Sequence, residues 1–226
     1  MEALLYDVHG NLPALEAVLA DAAEAGPSLY ILGGDYALFG GWPKETLERL
    51  QALPDALWLR GNGERWTARP HEAPDNPVVT GAIQACREAL GSRLADDLAT
   101  LPVTATRHAT LMCHASPISD IRSFLPEPAD DEPELLAGVS ASRMCFGHTH
   151  LPFRRIANGI ELVNPGSVGL PYDGDTRAAY ALLHDDGTVE HRRVAYNHEA
   201  SAARVQALGD WGERIAGRIR NAALEA

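Results

Sequence analysis

The chain is poor in cysteine. Its three cysteines, Cys86, Cys113 and Cys145, are too few and too odd in number for a disulfide framework. That points to a reducing, cytoplasmic setting. Basic residues are also scarce: 19 Lys and Arg face 31 Asp and Glu, for a net charge of −12 over 226 residues. Such a chain gains no counterion release on a phosphate backbone, which disfavours DNA or RNA as a partner. Neither Arg154-Arg155 nor Arg192-Arg193 extends into a basic stripe. No apolar run approaches the ~20 residues of a membrane span, so no membrane partner is expected. The N-terminus enters a strand-like run at once, Ala3 to Tyr6, without the basic and apolar regions of a secretion signal. Linker-like tracts, repeats and low-complexity segments are missing too, so residues 1–226 are expected to form one domain. The 46% hydrophobic and 22% charged residues suffice for a full core, which excludes disorder.

A repeated unit of strand, polar loop and helix runs through the first third. Leu4–Tyr6 reads as a buried strand ending in Asp7-Val8-His9-Gly10-Asn11. Asn11 suits an N-cap, Pro13 the first turn, and Leu12, Leu15, Val18, Leu19 and Ala22 share one helical face. Leu29–Leu32 ends in Gly33-Gly34-Asp35, and Ala56–Leu59 ends in Gly61-Asn62-Gly63-Glu64, with a helix from Pro43 to before Pro54 between them. This order predicts parallel strands with polar residues at their carboxyl ends. Helical patterns follow at 80–90 and 92–100. Leu111–Cys113 then leads into His114, and a proline-bearing loop over 115–133 has the length of a functional or mobile segment. A short helix near 133–138 precedes a strand, Arg143–Phe146, ending in Gly147-His148-Thr149-His150. Asn158-Gly159 and Asp186-Gly187 mark two hairpins, so the C-terminal part is expected to be antiparallel. A last helix from His198 carries Val205, Leu208, Trp211, Ile215 and Ile219 on one stripe, read as core in preference to a dimer contact.

The residues at these strand ends share one chemistry. Asp7, His9, Asp35, Asn62, His114, His148 and His150 all offer oxygen or imidazole donors. Singly each signal is weak: Asp-x-His is more often a turn, and a lone His114 is more often a satisfied, partly buried histidine. His148 and His150, read as alternate strand residues, would face one side. Together, in order and each after an apolar strand, they make a set able to hold two divalent metals.

The motifs Asp7-Val8-His9-Gly10-Asn11, Gly34-Asp35, Gly61-Asn62-Gly63-Glu64, His114-Ala115-Ser116-Pro117, Gly147-His148-Thr149-His150 and Asn164-Pro165-Gly166-Ser167 resemble the calcineurin-like metallophosphoesterase superfamily. Small bacterial and archaeal phosphodiesterase-like members are the nearest in pattern. The resemblance covers roughly residues 3–184. It implies a four-layer α/β-β/α sandwich of two mixed sheets. It also implies two divalent metal ions, one held by Asp7, His9, Asp35 and His150 and the other by Asp35, Asn62, His114 and His148. Asp35 would bridge them together with a water or hydroxide, the nucleophile for in-line attack on a phosphodiester or nucleotide-type substrate. Asp35, Asn62 and His114 would position metals, hydroxide and phosphate. Manganese is the first expectation, with iron, zinc or nickel accepted by the same donors.

Two positions depart from the family. Gly63 stands where many of its phosphatases have a histidine after the metal-binding Asn, which weakens the case for monoester hydrolysis. A non-catalytic protein-binding scaffold of the same fold, like the retromer subunit that also lacks this histidine, is the alternative. Tyr172 stands where close relatives often carry arginine; it either stacks on a base or aromatic leaving group or simply packs. Ser167 either donates to a phosphoryl oxygen or satisfies a tight turn. Glu64, Cys113 and Cys145 read as structural, His71 as a solvated loop histidine and Arg177 as surface. Homo-oligomerisation is left open.

Overall fold

The computed structural model describes residues 1–224. The first sheet takes three parallel strands from the N-terminal third: β1 (Glu2–Leu5), β2 (Leu29–Leu32) and β3 (Ala56–Trp58). The second sheet is built on β4 (Thr104–Arg107), β5 (Thr110–Cys113), β6 (Arg143–Cys145), β7 (Phe153–Ala157) and β8 (Ile160–Asn164), ordered β4-β5-β6-β8-β7. There β5, β6 and β8 are parallel, while β4 and β7 flank them antiparallel. The chain then returns to the first sheet with β9 (Ala178–Leu183) and β10 (Val189–Val194), giving the order β10-β9-β1-β2-β3. β9 runs antiparallel to β1.

The two sheets face each other. Leu4, Ile31 and Ala181 from the first and Met112, Cys145 and Val163 from the second form one buried apolar cluster. Strands buried on both faces lack alternation, which is why β1 and β9 read as continuous apolar runs. The outer face of the first sheet is covered by α1 (Leu12–Ala25) and α2 (Pro43–Gln51), with Leu15, Val18 and Leu47 packed on Leu5, Leu32 and Tyr180. The outer face of the second sheet is covered by Phe124 of the long loop and by Leu135 of α6 (Glu132–Leu135), which pack on Met144, Phe146 and Leu162. Its helical layer is therefore short.

Three elements differ from the sequence reading. The motif around Asn62 opens a helix, α3 (Asn62–Ala68). Edge strand β4, with two exposed residues, carries no apolar pattern. The helix expected from His198 is two: α7 (His198–Gln206) and α8 (Asp210–Asn221). Gly209, at φ +114°, breaks it, and α8 folds back so closely that a Cβ on Gly212 would lie 2.1 Å from the Val205 carbonyl oxygen. Between the two sequences of elements lie α4 (Pro77–Leu90) and α5 (Ser92–Ala99). Both hairpin turns form as expected, at Asn158-Gly159 and Asp186-Gly187. The three cysteines are free and buried. Among the described residues no helix is long and apolar enough to cross a membrane.

Glu64 ties the loops that follow β2 and β3. Its buried carboxylate accepts N–H bonds from Asp35 (2.9 Å), Tyr36 (2.8 Å) and Gly61 (2.8 Å). Each unsatisfied buried donor costs about 1–3 kcal/mol. Replacing Glu64 with Ala is therefore expected to lower the unfolding free energy by at least about 3 kcal/mol. Urea titration checks this, and a loss below about 1 kcal/mol would contradict the role.

Candidate metal centre and active site

All seven donors gather where the carboxyl ends of the two sheets' parallel strands meet. Asp7 and His9 follow β1, Asp35 follows β2, Asn62 follows β3, His114 follows β5, and His148 and His150 follow β6. Six are buried and His148 is partly so. Five of the seven adopt left-handed backbone: Asp7 (φ 55°), His9 (49°), Asp35 (57°), His148 (69°) and His150 (59°). Residues with a Cβ pay about 1–3 kcal/mol each for such conformations, which persist only where surrounding bonds over-determine them. Here the first two motifs hold each other, Asp7 N donating to Gly34 O (3.2 Å), His9 N to Asp35 O (2.8 Å) and Gly10 N to Tyr36 O (2.8 Å). These backbones also correct the reading of His148 and His150 as alternate strand residues on one side. They lie on a loop, where the His150 ring meets His9 at 4.8 Å and the His148 ring meets His114 at 5.3 Å.

The histidines are oriented from behind. Nδ1 of His9 lies 2.9 Å from Leu38 O, Nδ1 of His114 2.9 Å from Gly33 O and Nδ1 of His150 2.5 Å from Leu170 O. A carbonyl only accepts, so Nδ1 carries the proton and the Nε2 lone pair points inward, the arrangement of metal-binding histidines. His9 Nε2 and His150 Nε2 come within 3.1 Å of each other.

The carboxylates face the same volume. Asp7 Oδ2 accepts from His148 N at 3.0 Å. Asp7 Oδ1 is buried with no hydrogen-bond partner, 3.5 Å from His150 Nε2, 3.9 Å from His114 Nε2 and 4.0 Å from His9 Nε2. Asp35 Oδ2 is 3.9 Å from His9 Nε2, and its Oδ1 is 3.5 Å from His114 Nε2 while accepting from Gly63 N at 2.7 Å. Asp35 thus turns one oxygen to each histidine. Asp7, too, belongs to both compact ligand groups, with His9 and His150 and with Asp35 and His114. The end of the Asn62 amide meets His114 Nε2 at 3.0 Å, His148 Nδ1 at 2.9 Å and the Asp120 carbonyl at 3.0 Å. An amide oxygen at that point needs a cation beside it; an amide nitrogen, with two N–H groups, can satisfy two of the three acceptors.

Electrostatics follows the crowding. Burial, opposed by His114 and reinforced by Glu64 and Asp7, pushes the Asp35 carboxyl up to about 7. Burial also opposes ionisation of Asp7, yet His150, His114 and His9 together hold it well below the usual carboxylate range. Burial drives His9 and His148 down to about 3, with His150 and His114 respectively adding repulsion. His114 is raised, since Asp35 and Asp7 outweigh its burial. A buried orphan carboxylate oxygen amid inward imidazole lone pairs is a donor set that divalent cations fit.

A model of the calcineurin-like phosphoesterase superfamily domain matches residues 2–188. The chain belongs to that superfamily. An uncharacterised protein of Methanocaldococcus jannaschii is 28% identical over 95% of this chain and 97% of its own. The phosphodiesterase YfcE of Escherichia coli is 29% identical over 80% of this chain and 85% of its own. A metallophosphoesterase from Sphaerobacter thermophilus shares the structure with a TM-score of 0.83, at 26% identity over 98% of each chain. A hypothetical protein from Pyrococcus horikoshii OT3 shares the fold with a TM-score of 0.85, at 21% identity over the full length of both chains.

In this phosphoesterase a cavity of about 670 Å³ opens onto His9, Asp35, Asn62, His148 and His150. Tyr172 lines it, stacked on the His150 ring at 4.4 Å and 16°. Burial pushes the Tyr172 phenol up to about 12. Ser167 lies elsewhere: fully buried, it donates to Asp7 O (2.7 Å) and accepts from Leu170 N (2.8 Å). Its hydroxyl serves the turn, and no free donor remains for a phosphoryl oxygen. His71 is exposed beside Glu72, and Arg177 is exposed and paired with Asp175. Sequence reasoning missed Phe39, Trp66 and Arg218, which share the cavity wall. Trp66 sits in the helix that the glycine-rich motif concealed.

Saturating manganese is expected to raise the melting temperature of the wild type, since a cation at 100 times its Kd adds about 2.7 kcal/mol. Asp7→Asn is expected to lose most of that shift, and elemental analysis to show the loss of bound metal. An unchanged shift in the variant would contradict the assignment of Asp7.

Proposed function

We propose that this phosphoesterase is a phosphodiesterase acting on a phosphodiester or nucleotide-type substrate at a two-cation centre. The observation that carries the reading is the buried, unpartnered Asp7 Oδ1 among inward-facing imidazole nitrogens. Asp7, His9, Asp35 and His150 would hold one cation, and Asp35, Asn62, His114 and His148 the other, with Asp35 between them. Divalent cations there supply Lewis acidity toward phosphoryl oxygens and shift the ionisation of water toward neutral pH. Manganese is the first choice among metals that accept this mixed nitrogen and oxygen set.

The chain's own groups do the positioning. Carbonyls of Gly33, Leu38 and Leu170 fix three imidazoles before any ligand arrives. Gly63 N holds one oxygen of Asp35, and a Cβ at 63 would lie 2.9 Å from that oxygen. A histidine at this position would crowd the carboxylate, so Gly63 suits the site as built. Its consequence is chemical. Among the described residues, the histidines on the cavity wall are His9, His148 and His150, all committed to the cation set. No imidazole is left to protonate a leaving group, which favours esters whose leaving groups depart as anions. The intact donor set supports a hydrolase over a scaffold.

With manganese, bis-p-nitrophenyl phosphate is expected to turn over faster than p-nitrophenyl phosphate. Asp35→Ala is expected to cost more than the roughly 10–100-fold typical of residues one step removed from a metal. Faster monoester turnover, or diester turnover unchanged in the variant, would overturn the reading. In a series of aryl diesters the rate is expected to fall steadily as the leaving-group pKa rises. A flat profile would reveal a general acid.

A further inference from the structure

The family match ends at residue 188, but the fold brings a later segment to the cavity. Helix α8 packs Ile215, Ala216 and Ile219 on Leu170, Val205 and Tyr172. This seats Arg218, partly buried, in the wall of the cavity that holds His9, Asp35 and His150. Two guanidinium groups line that cavity. Arg122 is committed, reaching Glu134 at 2.8 Å and Asp131 at 3.1 Å. Arg220, two residues on, is tied to Glu199 at 3.2 Å. Arg218 has no carboxylate partner among the described residues, and its neighbour in the cavity is the Tyr172 phenol. Among the described residues Arg218 is thus the cavity's guanidinium without a carboxylate beside it. Its rigid fork of donors matches phosphate oxygens.

We propose that Arg218 is a specificity-determining residue that holds a second phosphate of the substrate, adjoining the phosphoryl group at the aspartate-histidine cluster. The inference rests on this cavity being the phosphoester site. Tyr172 stands between the two: its ring stacks on His150 and it shares the cavity wall with Arg218, which leaves a gap between the donor cluster and the guanidinium. Phosphates linked in series reach across such a gap; a simple diester has nothing to offer Arg218. The substrate class is a phosphoester with at least two consecutive phosphates, such as a nucleoside polyphosphate. Phe39 and Trp66 add aromatic surface to the same wall for the group beyond.

Calorimetric titration of the manganese-loaded full chain with AMP and with ADP tests this by binding alone. The wild type is expected to bind ADP about tenfold or more tightly than AMP, as an ionic hydrogen-bonded contact implies. Arg218→Gln is expected to bring that ratio close to one, and Arg218→Lys to restore part of it. Arg214→Gln, one turn back on the exposed face, is expected to leave it unchanged. A wild-type ratio near one, or a ratio unchanged by Arg218→Gln, overturns the proposal whatever the turnover. An Arg218-dependent ratio in a chain that hydrolyses no phosphodiester upholds the anion site and removes the proposed activity.

Discussion

Acceptors repel one another in a low-dielectric interior, and this chain buries an unusual number of them at one point. His9 and His150 bring nitrogen lone pairs to 3.1 Å, Asp7 adds an oxygen with no donor, and the Asn62 amide meets two more ring nitrogens. A buried polar group without a partner costs several kcal/mol relative to water. The arrangement makes physical sense as a cradle for cations, and much of the surrounding structure exists to hold it. Glu64 satisfies three N–H groups so that the loops after β2 and β3 keep their shape. Gly61 and Gly63 leave room for Asp35: a Cβ at 61 would lie 2.2 Å from its Oδ1. The five left-handed backbones among the donors are part of the same cost.

The two-sheet plan explains why such a convergence is available. Parallel strands all present their carboxyl ends on one edge, and two sheets packed face to face double the number of loops that reach one place. The first sheet supplies Asp7, His9, Asp35 and Asn62; the second supplies His114, His148 and His150. The donor set belongs to the family span, whereas α8 lies beyond it and adds Arg218 to the same cavity. The cavity wall is thereby drawn from both parts of the chain, Phe39, Trp66 and Tyr172 from within the family span and Arg218 from beyond it.

How much could be read beforehand depended on the length of the signal. Asp7, Asp35 and His114 follow apolar strands, and the Asn-Gly and Asp-Gly hairpins have short-range causes, so both were legible. The packing of the two sheets came from the resemblance, since apolar runs show burial without naming a partner. Helix α3 was hidden by Gly61-Asn62-Gly63, poor helix formers held in place by Glu64. The role of Ser167 is not legible in the sequence, because its bonds reach Asp7 and Leu170, partners 160 residues and three residues away. The break at Gly209 was missed because the apolar stripe continues across it. Arg218 gave no signal: on an amphipathic helix it reads as solvated surface, and only the docking of α8 turns it inward.

In the proposed centre the converging donors would hold two cations with Asp35 between them. Diffraction from manganese-soaked crystals, recorded at the manganese absorption edge, tests it most directly. Two anomalous peaks are predicted, one beside Asp7, His9 and His150 and the other beside Asn62, His114 and His148. A single peak, or peaks away from these side chains, would contradict the account.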